Sequence, residues 1–113
     1  KLWMAHGITT VRDPSAGNGL TWVLDHKKKS AANEITAPRL LAYTSFGQGA
    51  KGPIINAEQA KAWVNENKAK GADGIKFFGA KPEVMEAAIS ENKRIGLKSA
   101  MHHQQLDGKL RID

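Results

Sequence analysis

The chain contains no cysteine. Disulfides and thiolate chemistry are therefore excluded, and cysteine usage leaves the redox compartment undetermined. Aromatic residues make up only 6%. The Trp residues are spread among predicted helices, which suits core or interface anchors and not a stacking platform for nucleic-acid bases. No apolar run approaches the ~20 residues of a membrane helix, so no membrane span is expected. The opening stretch Lys1-Leu2-Trp3-Met4-Ala5-His6 is too short and too polar for a signal-peptide core. The missing initiator methionine suggests a trimmed or excised segment. Localisation is read as cytoplasmic or unknown.

What is present suits one domain with a modest core: 113 residues, 41% hydrophobic and 25% charged. The net charge of +6 raises a nucleic-acid or acidic-partner reading. The lysines are scattered, however, apart from Lys27-Lys28-Lys29. That run lies inside a helical pattern and reads as a solvated face. Nucleic acid is not expected as a partner.

Along the chain, short apolar runs alternate with amphipathic ones. Residues 1–6 read as a helix end with Leu2, Trp3 and Met4 packing, closed by Gly7. Residues 8–12 are β-branched and read as a strand. A helix is predicted from Leu20 to about Ala32, with Leu20, Val23 and Leu24 inward and Trp22 flanking. A second strand covers 39–44, and a glycine-rich loop covers 45–53. Asn56 caps a helix over about 57–70, with Glu58 in its first turn. Gly71 ends that helix, and Gly74-Ile75-Lys76-Phe77 follows as a buried strand. Pro82 opens a further helix to about Arg94, stopped by Gly96. Residues 97–103 form the fourth strand, and 108–113 read as an unstructured tail. The pattern predicts an α/β fold of right-handed βα units with a four-stranded parallel sheet, either a partial TIM barrel or an open sandwich. One partial domain is expected over 1–107.

In such sheets ligands meet the carboxyl ends of the strands. This chain places Arg12 and Asp13, Thr44 and Ser45, Lys76, and His102 and His103 there. Lys76 stands out, because burying a lysine costs several kcal/mol unless it is paired, neutralised or modified. It can also snorkel to solvent. A carbamate formed on its amine could bridge divalent metals, with a histidine on the next strand as a further ligand. Adjacent strand residues face opposite sides, so only one of His102 and His103 can face a cleft.

Gly47-Gln48-Gly49-Ala50-Lys51-Gly52 matches G-x-G-x-x-G, but Pro53 follows and no acidic residue ends the next strand. The dinucleotide reading therefore fails, leaving a flexible rim loop. Asp25-His26 sits mid-helix beside lysines and reads as a surface pair. His6 reads as a favourable helix-end charge or a packing residue.

Gly7-Ile8-Thr9-Thr10-Val11-Arg12-Asp13 resembles the G-[IV]-T-T-V-R-D strand of the metal-dependent amidohydrolases, in their imidazolonepropionase-like and prolidase-like branch. Ala37-Pro38-Arg39-Leu40, Gly71-Ala72-Asp73-Gly74-Ile75-Lys76 and Ser99-Ala100-Met101-His102 are similar to that branch's G/A-P-R, G-A-D-x-I-K and V-A-x-H segments, in the same order. The resemblance covers about residues 1–107. It implies a (β/α)₈ barrel with zinc or another divalent metal at its rim. Lys76, often carboxylated in the family, and His102 would be metal ligands. Arg12, Asp13 and His103 would lie where substrate binds. The implied chemistry is hydrolysis of amides, cyclic amides or dipeptide-like C–N bonds by metal-bound hydroxide.

The family's H-x-H pair, its later histidine and its catalytic aspartate have no counterpart here. The chain would supply strands two to five of the barrel's eight. Two ligands fall short of a zinc site, so an inactive fragment is expected, possessing no catalytic residue of its own. An incomplete barrel leaves sheet edges and an apolar face uncovered, so a homo-oligomer is expected, such as a dimer of half-barrels. The alternative is a small α/β binding or self-assembly domain without catalysis, taking an anion or acidic partner at its glycine-rich loop.

Overall fold

A computed structural model describes residues 2–102. His103 and the predicted tail over 108–113 lie outside the described residues. In chain order the elements are α1 (Leu2–Ala5), β1 (Thr10–Asp13), α2 (Leu20–Ala31), β2 (Arg39–Ser45), α3 (Ala57–Lys70), β3 (Gly74–Phe77), α4 (Pro82–Arg94) and β4 (Lys98–Met101). The strands form one parallel sheet in the order β1-β2-β3-β4. Alternating βα units thus build an α/β half-barrel.

The helix ends follow local chemistry. The Asn56 side chain accepts the Gln59 N–H at 2.9 Å, satisfying a first-turn donor of α3. Gly71 closes α3 at φ 101°, a left-handed conformation that costs glycine little. Pro82 occupies the first turn of α4, where a missing N–H is harmless.

Strand alternation gives the sheet two different faces. Ile75 and Phe77 are fully buried and pack with Trp63, Val64, Val84 and Met85 from α3 and α4. A smaller cluster joins Ala42 to Leu20 and Val23 of α2. Lys76, between Ile75 and Phe77, points to the other, open face.

Three expectations require correction. Leu2, Trp3 and Met4 do not pack: α1 has no buried residue, and Leu2 is 79% exposed. A four-residue helix has too little surface to reach the core. Lys27 is also not simply part of a solvated face. Its ammonium meets both Asp73 oxygens at 2.7 Å, while the Ala42 N–H donates to the same carboxylate at 2.7 Å. The Asp73 backbone adds bonds to Ala42 and Lys98, so this residue ties α2, β2, β3 and β4 together at the amino end of the sheet. The glycine-rich loop, expected to be flexible, is pinned. The Trp63 indole donates to the Gln48 carbonyl at 3.1 Å, and Phe46 packs against Trp63 and Phe77.

Buried polar groups stitch the outer layer. The Asn92 amide donates to the Lys98 carbonyl at 3.0 Å and the Ser99 hydroxyl at 2.8 Å, fastening α4 to β4. Glu91 accepts two bonds from Arg94, at 2.6 and 2.8 Å, and one from Asn65 at 2.6 Å. The Arg94 guanidinium, helped by Asn65, lowers its carboxyl from 4.5 to about 2. A carboxylate with a depressed folded pKa stabilises fully above its unfolded pKa. That contribution is lost as pH falls from about 4.5 through about 2. Denaturation midpoints measured across this window should therefore fall further for the unaltered chain than for Glu91→Gln. The two proteins should converge near the acid end, and parallel curves would contradict the assignment.

Among the described residues no helix is long and apolar enough to cross a membrane.

Candidate functional site

The candidate site lies at the carboxyl ends of β3 and β4, on the open face. Lys76 is in register with Ser45 on β2 and Ala100 on β4. Residues in register on parallel strands share a face. The His102 N–H donates to the Phe77 carbonyl at 3.2 Å, carrying the β3–β4 ladder one step beyond Met101. His102, two residues past Ala100, therefore returns to the Lys76 face.

Phe78 joins the two. The Lys76 ammonium lies 5.5 Å from its ring centroid, and the His102 ring lies 4.7 Å from it. Lys76 is half-buried and His102 exposed. Among the described residues no carboxylate pairs with Lys76, and the negative face of the Phe78 ring takes that place.

The other rim residues separate by strand parity. Arg12, in register with Leu41, shares the open face and stands 5.6 Å above the Tyr43 ring. Asp13 has the opposite parity. Its Oδ1 accepts the Ser15 and Ala16 N–H groups at 3.2 and 3.0 Å, which shapes the β1–α2 loop. The Thr44 hydroxyl donates to Gln48 Oε1 at 3.1 Å, and the Gln48 amide donates onward to the Ala16 carbonyl at 3.0 Å. This chain of bonds locks two rim loops together. The α3 N-terminus is capped by its own Asn56, five residues beyond Gly49-Ala50-Lys51, so the glycine motif does not open onto a free helix end.

A zinc ion does not fit the described residues alone. Among them there is no group of three or more His, Asp or Glu side chains able to hold a metal. Lys76 and His102 offer two positions, and zinc sites use three or four protein ligands.

Phe78 and Gln48 escaped the sequence reading. Phe77-Phe78 at a strand end carried a usable signal, because alternation must send one ring into the core and the other onto the rim. Gln48 carried none, since a glutamine in a glycine-rich loop looks like any polar loop residue.

No protein-family model matches the chain, and no curated protein matches it. Among solved structures it is similar to a Xaa-Pro dipeptidase with bound methionine in the active site. The TM-score is 0.68 at 20% identity, over 90% of this chain and 34% of the dipeptidase chain. This chain therefore spans about a third of that protein's length. The likeness is one of fold: an all-parallel βα half-barrel.

Proposed function

We propose that the chain forms the Lys76–His102 side of an amidohydrolase-type hydrolase barrel, with no turnover of its own. The parent chemistry is cleavage of small C–N bonds such as those of Xaa-Pro dipeptides. The observation that carries this reading is that Lys76 and His102, from consecutive strands and on one face, both approach the Phe78 ring. The order of the strand motifs supports it, as does the fold shared with a dipeptidase. A carbamate on Lys76 would supply an oxygen ligand beside the His102 imidazole. Two such ligands fall short of zinc's needs, so no hydrolytic step is assigned to these residues.

Zinc calorimetry and a Xaa-Pro dipeptide assay on one sample test the reading. Zinc uptake should be weak and no dipeptide cleaved. Lys76→Ala and His102→Ala should each weaken uptake by at least about tenfold, since even outer-sphere partners act on that scale. Uptake unchanged in the double variant would overturn the ligand assignment. Turnover by the unaltered chain would overturn its catalytic silence.

A further inference from the structure

We propose that the β4 edge of the sheet, with the basic open face beside it, is a docking surface for an acidic polypeptide segment. The charged side chains that strand parity and register place on this face are basic: Arg12, Arg39, Lys76 and Lys98. The nearest acids in the strands and their leads, Asp13 and Asp73, have the opposite parity and are engaged in loop and sheet bonds. Arg12 and Lys76 lean on Tyr43 and Phe78 rings. Leu41 and Phe78 add exposed apolar area, at 36% and 41%. The face is therefore basic and partly apolar at once.

That combination selects among occupants. A second copy would set the same basic face against itself, and juxtaposed like charges are costly. A nucleic acid would match the charge but leave the strand edges unsatisfied. Among the described residues, β1 and β4 each pair on one side only. An extended polypeptide answers both needs. Laid beside β4, it would bond to the open edge and bring alternate side chains next to Lys98, Ala100 and His102. Carboxylates at two-residue spacing, with apolar residues between them, fit that row. The inference uses Lys98 and the β4 edge and does not rest on metal binding at Lys76 and His102.

The test is an NMR titration of the whole chain with a peptide of about ten residues alternating Glu and Val, the length of a long strand. A Lys–Val peptide and a single-stranded oligonucleotide serve as comparisons. The Glu peptide should shift the β4 amides and bind at least about tenfold more tightly than the Lys peptide. Raising salt from about 50 to about 500 mM should weaken it strongly. Lys98→Glu should cut affinity at least about tenfold, whereas Lys28→Glu with Lys68→Glu on the helices should not. If charge reversal unfolds the sheet, the shift map and salt response of the unaltered chain still decide. Equal binding of both peptides, tighter binding of the oligonucleotide, shifts confined to the helices, or sedimentation showing copies packed through this face would each overturn the proposal.

Discussion

Gly74→Ala should cost about 3 kcal/mol, the upper end of the range for overpacking a sheet or core. Gly74 does not hold a left-handed φ, so the requirement is for space and not for conformation. A Cβ placed there would sit 2.6 Å from the Lys98 carbonyl and 2.6 Å from the Tyr43 ring. One obstacle is backbone of the neighbouring strand and the other is a ring only 4% exposed, so neither yields cheaply. A loss of this size should lower the melting temperature by roughly 10–20 °C in a domain of this length. Tyr43→Ala should cost less in the Gly74→Ala background than on its own, because it relieves the ring's clash but not the carbonyl's. Simple additivity of the two substitutions would mean that Tyr43 does not press on Gly74. The effect also bears on the rim, since Gly74 sets the spacing of β2, β3 and β4 two residues below Lys76.

Asp73→Ala should cost about 2–4 kcal/mol, summing a charge-assisted bond and a screened ion pair. The larger share comes from the Ala42 N–H, which would be left without its 2.7 Å acceptor in a buried position. The Lys27 pair contributes less, because its side chains are 34% and 28% exposed. Three variants separate the two shares in chemical denaturation. Asp73→Asn keeps an oxygen for Ala42 and should cost only about 1 kcal/mol, as should Lys27→Met. Asp73→Ala should exceed both. If Asn and Ala at this position cost the same, the ion pair and not the amide bond dominates. Added salt should shrink the Lys27→Met effect and leave most of the Asp73→Ala effect in place.

The regular frame was largely legible in the sequence. Periodicity, the Asn56 cap, Gly71 and Pro82 marked α3 and α4 at their observed bounds, because caps and turn residues act locally. Of the residues of α2 expected inward, Leu20 and Val23 are buried and Leu24 is half-buried. Lys76 was singled out by the cost of burying an amine, and the half-barrel does turn it away from the helices. What spacing could not reveal were contacts between distant segments. Lys27 and Asp73 lie 46 residues apart, and nothing in a lysine run distinguishes the one lysine that has a partner. Asp13 looked like a rim group, yet strand parity turns its carboxylate into the loop that follows. The apolar residues of α1 read as packing residues because hydrophobicity is visible in a sequence while the surface it needs is not.

The strands lie side by side in the order in which they are synthesised. Each pairing closes a segment of similar, modest length, so no early strand waits for a late one. Assembly can advance from the amino end during translation, with each new βα unit condensing onto a template already in place. A ribosome stalled once β3 has cleared the exit tunnel would then carry a nascent chain in which Lys27 has already met Asp73.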